Sequence, residues 1–134
     1  MWGDNKDFCI SSERRSNRIT EEELISTIEP IRIKWKTKVS YIAAGYNNSA
    51  FITESGDVYY WGKFHQVFDK PKKAKIKENI SKIFLGHGCL FLITTDGEVY
   101  SMGSGENYQL GNGSKEDTDI PKLVNGIGLF FYLI

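Results

Sequence analysis

With 134 residues, 40% of them hydrophobic and 25% charged, the chain has the length of one small domain and an ordinary globular composition. Its 17 basic residues balance 17 acidic ones, which excludes a global field drawing it to nucleic acid or an anionic membrane. Thirteen glycines against three prolines, with 13% aromatics, point to tight turns between aromatic-rich strands.

The first residues, MWGDNKDF, carry no apolar run behind a basic flank, so no signal peptide is expected. Trp2-Gly3 matches the later pairs Trp61-Gly62 and Met102-Gly103, so the chain reads as opening at the end of a repeat copy. Residues 4–33 read as an insertion. Within it Thr20-Glu21-Glu22-Glu23 has the form of a capping box, followed by the apolar stripe Leu24, Ile25 and Ile28. A short helix is therefore expected near residues 20–29, lying on the rim of the fold; the sharper alternative is a partner-docking element. Cys9 and Cys89 are far apart and neither belongs to a CxxC pair, which points to reduced thiols in the cytoplasm or nucleus.

From residue 39 the chain repeats itself. Residues 39–63, VSYIAAGYNNSAFITESGDVYYWGK, align without a gap on 80–104, ISKIFLGHGCLFLITTDGEVYSMGS, an offset of 41 (Val39 to Ile80), with 9 identities in 25 positions. The identical pairs include Ser40/Ser81, Gly45/Gly86, Thr53/Thr94, Gly56/Gly97, Val58/Val99 and Gly62/Gly103. SAFIT and LFLIT read as strands, and DVYYWG and EVYSMG as their hairpin partners. Asp96-Gly97 predicts a two-residue type I′ loop with Gly97 at positive φ, and Ser55-Gly56 a weaker form of it. Gly45 and Gly86 mark backbone that turns or approaches closely. A period of about 41 residues with several strands predicts propeller blades; an antiparallel sandwich of two hairpin pairs is the alternative.

Between the copies, residues 63–82 hold seven lysines against Asp69 and Glu78. Lys70, Lys72, Lys73 and Lys75 are a candidate partner patch for phosphates or an acidic protein. The competing reading is an outer edge strand that charge protects from pairing with another chain.

These residues resemble the repeat of the regulator of chromosome condensation family. The resemblance rests on Ala43-Ala44-Gly45, Ser49, Gly56-Asp57-Val58-Tyr59-Tyr60-Trp61-Gly62 and Pro71 in the first copy. In the second it rests on Asp96-Gly97-Glu98-Val99-Tyr100-Ser101-Met102-Gly103, Gln109-Leu110-Gly111-Asn112-Gly113 and Pro121. It implies an all-β fold: a partial propeller of about three blades, each of four antiparallel strands. Residues 1–38 are read as the end of one repeat with its insertion, 39–79 and 80–123 as repeats, and 124–134 as the start of the next or a truncated tail. The remaining blades would come from other sequence or another chain. Asn48 and Cys89 stand where the family has histidine, and Tyr108 where its loop has the first glycine. The turn glycines expected to hold the blades are Gly45, Gly56, Gly62, Gly86, Gly97, Gly103 and Gly111.

The resemblance further implies a protein–protein interaction scaffold, with a small GTPase, a ubiquitin-pathway protein or a ciliary protein as partner. The alternative is a guanine nucleotide exchange factor for a Ran-like small GTPase. An enzyme is not expected: no Gly-x-Ser-x-Gly elbow or HExxH occurs. Gly103-Ser104-Gly105 lacks the third glycine of a nucleotide loop, because Tyr108 takes its place. A metal site would have to combine His65, His87, Cys9 and Cys89, of which only His87-x-Cys89 is local. No catalytic residue, cofactor, metal or nucleic-acid partner is therefore expected. The apolar end, GIGLFFYLI, is shorter than the roughly 20 residues that span a bilayer, so no membrane span is expected.

Overall fold

The computed structural model describes residues 3–4, 26–27 and 33–125. The described strands are all antiparallel. β1 (Gly3–Asp4) pairs β2 (Ser26–Thr27) in a small two-stranded sheet. β3 (Val39–Ala44), β4 (Asn48–Thr53), β5 (Val58–Lys63) and β6 (Val67–Lys73) follow one another across the first four-stranded sheet. β7 (Ile80–Leu85), β8 (Cys89–Thr94), β9 (Val99–Gly103) and β10 (Thr118–Leu123) do the same in the second. We call these sheets blade A and blade B. The 41-residue offset recurs in the starts of β3 and β7, of β4 and β8, and of β5 and β9.

The helix expected near residues 20–29 is not present among the described residues. Most of that span lies outside them, and Ser26–Thr27 are strand, not helix. No helix of the described residues is long and apolar enough to cross a membrane.

The hairpin turns also differ from the expected type. Gly56 and Gly97 do have positive φ (88° and 86°), but Ser55 and Asp96 do not, so neither loop is type I′. Four residues separate β8 from β9, and Gly97 N–H donates to Thr94 O at 3.0 Å while Thr94 N–H donates to Glu98 O at 2.9 Å. This is an ordinary turn followed by one left-handed glycine. The buried threonine settles the choice: its Oγ1 accepts the next free amide, Glu98 N–H at 2.9 Å in blade B and Asp57 N–H at 3.1 Å from Thr53 in blade A. A second repeated device sits at the inner strand. Ser40 and Ser81 each mark a register shift, and each Oγ donates at 3.1 Å to the carbonyl of Ile52 or Ile93.

Side chains alternate across each strand, so every blade has two faces. Ala50, Ile52, Val58 and Tyr60 point from the back of blade A, and Ile83, Leu90, Leu92 and Met102 from the front of blade B, into one buried cluster. Blade A's front carries Phe51, Tyr59 and Trp61, which Trp35 covers edge-on at 5.0 Å from Phe51 and 4.7 Å from Tyr59. Blade B's back is closed in part by Leu110, whose carbonyl accepts from Ser101 Oγ at 2.7 Å, and by Val124.

Candidate functional site

Antiparallel order sends the connections 45–47, 64–66, 86–88 and 104–117 to one side of both blades, the upper face. There a cleft of about 140 Å³ opens between Tyr46, Lys63, Phe64, His87, Ser104 and Gln109. Small-molecule sites usually enclose about 300–1,000 Å³. This one is smaller than that range.

The repeat builds the cleft in matched halves. Gly45 N–H donates to Asn48 O at 2.8 Å, and Gly86 N–H to Cys89 O at 2.9 Å, closing two identical tight loops. A Cβ on Gly45 would strike Asn48 Oδ1, and one on Gly86 would lie 2.7 Å from Cys89 Sγ. Gly62 and Gly103, with φ of 95° and 114°, let the next strand pass close to the carbonyls of Asn47 and Gly88. The same crossings carry Lys63 N–H to Asn47 O at 2.7 Å and Ser104 N–H to Gly88 O at 2.8 Å. Gly111, at φ 66°, donates to Tyr108 O at 3.1 Å in the long loop. Thus five of the seven expected turn glycines border the upper face, and Gly56 and Gly97 lie on the lower one.

Tyr46 and His87 occupy equivalent loop positions, and their rings meet 5.5 Å apart across the blade boundary. Tyr46 is 79% exposed. Tyr108, 55% exposed, stands in the long loop with φ 58°, the only described non-glycine residue at positive φ. That conformation costs an L-residue about 1–2 kcal/mol. The loop enforces it: Gly105 N–H donates to Asp117 Oδ1 at 2.9 Å, Asn107 N–H to Gln109 Oε1 at 2.7 Å, and Leu110 is fully buried. Lys115 Nζ lies 5.1 Å from the Tyr108 ring centre. Sequence reasoning did not single out these exposed aromatic residues, because loop residues follow no period; tyrosine in a glycine position was the one signal for Tyr108.

The lysines do not converge. Lys70, Lys72 and Lys73 lie on β6, an edge strand, with Lys75 just beyond it, and all four are exposed. Lys72 pairs in register with Tyr60 and Lys73 with Tyr59, so they point to opposite faces. Lys72 Nζ sits 4.8 Å over Phe68, and Lys73 Nζ bonds Asp57 at 2.8 Å, which holds the Lys73 pKa up. This arrangement fits a guarded edge better than a patch.

Below the cleft, Asn48 Nδ2 donates to Lys63 O at 3.2 Å and to Gly86 O at 3.1 Å, tying blade A to blade B. Cys89, its equivalent, is a buried free thiol pushed up in pKa by desolvation, against a smaller opposing hydrogen bond with Gly86. Such a thiol is a poor nucleophile and a poor metal ligand. His87 instead faces Tyr46, and no group of three His, Cys, Asp or Glu among the described residues could hold a metal ion. At the blade boundary His65 Nε2 stands 3.1 Å from Asp119 Oδ1 without the alignment of a hydrogen bond. Beside them the buried Tyr60 hydroxyl has no partner; burial and, less, Asp119 push its pKa up to about 12.

Two models of the regulator of chromosome condensation (RCC1) repeat match the chain, over residues 39–65 and 96–129. The regulator of chromosome condensation of Xenopus laevis is 32% identical over 116 residues, covering 78% of this chain. The chain belongs to the regulator of chromosome condensation repeat family. The human E3 ubiquitin-protein ligase HERC2 is 28% identical over 144 residues, covering 96% of the chain. The match spans about a quarter (27%) of the frog protein and 3% of HERC2. Among solved structures, two of Prp20p, from Saccharomyces cerevisiae, are 21% identical and cover 93% of the chain, with TM-scores of 0.72 and 0.74. The chain covers 33% and 32% of those chains. One concerns the binding of Prp20p to Gsp1p and histones, the other its complex with Kap60. These likenesses give the RCC1 repeats a β-propeller fold, of which blades A and B are two four-stranded blades.

Proposed function

We propose that the chain is a protein-interaction module whose contact surface is the upper face, and that it acts without catalysis or a cofactor, in the cytoplasm or nucleus. One observation carries this: Tyr46 and His87 meet across the blade boundary, and Tyr108 is exposed on a loop of the same upper face in a conformation that costs energy. Aromatic residues are enriched in interfaces, and strained backbone clusters where function maintains it. The module supports a partner such as a small GTPase, a ubiquitin-pathway protein or a ciliary protein. Titration against Gsp1p, histones and Kap60, which bind Prp20p, tests it. The reading expects at least one to bind, with Tyr46→Ala and Tyr108→Ala each weakening it about tenfold or more, the loss of a contact worth over 1 kcal/mol. Binding to none, or binding indifferent to both substitutions, contradicts it.

The second reading, a guanine nucleotide exchange factor for a Ran-like small GTPase, draws its support from the binding of Prp20p to Gsp1p. Release of bound GDP from such a GTPase in the presence of the chain discriminates the two. Acceleration supports exchange; binding without acceleration supports the interaction module alone.

A further inference from the structure

The long loop of blade B, 104–117, contains Asn112-Gly113-Ser114. An asparagine carries an electrophile, the amide carbon Cγ, within reach of the backbone nitrogen that follows it. Attack by that nitrogen closes a succinimide ring. Closure needs an amide free to attack, a side chain folded towards it, and access for water.

The fold meets each need at this position. Gly113 N–H has no hydrogen-bond partner among the described residues, so no bond has to break before the amide gives up its proton. Gly113 is exposed, and a Cβ built on it would meet nothing within 4 Å, so water reaches the peptide and no side chain shields it. Ser114 N–H donates to Asn112 Oδ1 at 3.0 Å, which folds the asparagine side chain back along the Asn112–Gly113 peptide. The same bond aims a donor at the oxygen that turns anionic when Cγ is attacked, the help an oxyanion hole gives. Asn107 and Asn79 lack this combination. Asn107 precedes Tyr108, whose N–H is already bound to Gly105 O at 2.9 Å, and Asn79 precedes Ile80, which is branched at Cβ and buried.

We propose that Asn112 is a self-modification site, at which the chain converts its own asparagine to aspartate and isoaspartate. Water or hydroxide takes the Gly113 amide proton, the nitrogen bonds to Cγ, and the Cγ–Nδ2 bond breaks as Nδ2 picks up a proton and leaves as ammonia. A second water then opens the succinimide. Breaking the new bond to Cγ gives aspartate. Breaking the original bond between Asn112 C and Gly113 N gives isoaspartate, whose backbone runs through Cβ and Cγ. Nothing is oxidised or reduced: water enters and ammonia leaves. Either product adds a negative charge to the upper face. Isoaspartate also lengthens the backbone by a methylene between two anchors, the buried Leu110 and Asp117, which accepts Gly105 N–H at 2.9 Å. The site does not depend on which partner the upper face binds.

Peptide mapping by mass spectrometry of the full folded chain, kept near neutral pH at body temperature and sampled over weeks, tests the inference beside a free peptide of residues 108–117. Asn112 in the folded chain should convert no more than about tenfold more slowly than in the peptide, a barrier difference of about 1.4 kcal/mol. Asn79 and Asn107 should stay intact over the same time. Isoaspartate at Asn112 should be revealed by methyl transfer from S-adenosylmethionine with an isoaspartate carboxyl methyltransferase. Asn112→Gln, whose longer side chain closes a ring far less readily, should abolish that signal in its peptide while leaving the circular dichroism of the blades unchanged. A folded chain that keeps Asn112 intact while the peptide converts overturns the proposal, as does conversion of Asn79 or Asn107 at the rate of Asn112.

Discussion

Ile42 and Ile83 have the same residue type, strand position and hydrogen-bonded register, yet one faces open space and the other the middle of the core. The comparison teaches that the repeat fixes where a side chain points, while its energetic weight comes from the neighbouring blade. Tyr60 and Ser101 make the same point for polar groups. They are equivalent positions, both buried, but Ser101 Oγ has the Leu110 carbonyl brought by the long loop of blade B. Blade A lacks that loop, and the Tyr60 hydroxyl has no partner.

The sharpest way to break the comparison is to truncate both isoleucines. Ile83→Ala should destabilise by about 2–5 kcal/mol, the range for cavities left in a packed core. Ile42→Ala should stay within about 0.5 kcal/mol, as exposed substitutions do, when measured by urea unfolding at a concentration where the chain is monomeric. Equal losses would mean that the two faces are not differently covered.

Next come the turns, where the blades should behave alike. Gly56 and Gly97 share positive φ and the same hydrogen bonds, so valine at either should cost roughly 1–3 kcal/mol. Glu98→Ala, one residue on, should leave the melting temperature nearly unchanged. A Gly97→Val variant that melts no lower than Glu98→Ala contradicts the turn assignment.

Tyr60→Phe distinguishes the blades by pH. The phenol ionises near 10 in the unfolded chain and about 12 in the fold, because it is buried and Asp119 lies near. Between those values the folded state keeps a proton that the unfolded state has lost, so wild-type stability should fall as pH rises from about 10 to about 12. Below pH 10 this contribution is absent. Phenylalanine should remove that alkaline loss and, by deleting an unpartnered hydroxyl, raise stability by about 1 kcal/mol at neutral pH. Unfolding measured at pH 7 and pH 11 checks both.

A small gain is expected at Tyr108. Glycine there relieves the left-handed backbone but adds freedom to the unfolded chain, leaving a net gain of about 0.5–1 kcal/mol. Thermal unfolding should show a slightly higher Tm together with weaker partner binding, the combination that separates strain kept for function from strain without one.

The offset from Val39 to Ile80 was enough to place β3 to β5 on β7 to β9, because glycines and alternating apolar residues recur at fixed spacing. The turn type was not, because Asp-Gly serves both a type I′ loop and a left-handed glycine after an ordinary turn. Thr53 and Thr94 decide between them through a side-chain bond that no local pattern announces. The capping box at Thr20–Glu23 suggested a helix, but Ser26–Thr27 pair with a distant strand, a contact outside any local window. The Tyr46–His87 pair was hidden for a related reason: its members are 41 residues apart and meet only when two blades stack.

The most direct test of the two-blade arrangement is a set of methyl nuclear Overhauser contacts in the full chain. Contacts should join Ile52 and Val58 to Ile83, Leu90 and Leu92, while the Ile42 methyls reach none of the blade B front residues. Ile42 methyls close to Leu90 or Leu92, or Ile52 and Val58 methyls close to neither, would contradict the stacking of blade A's back on blade B's front.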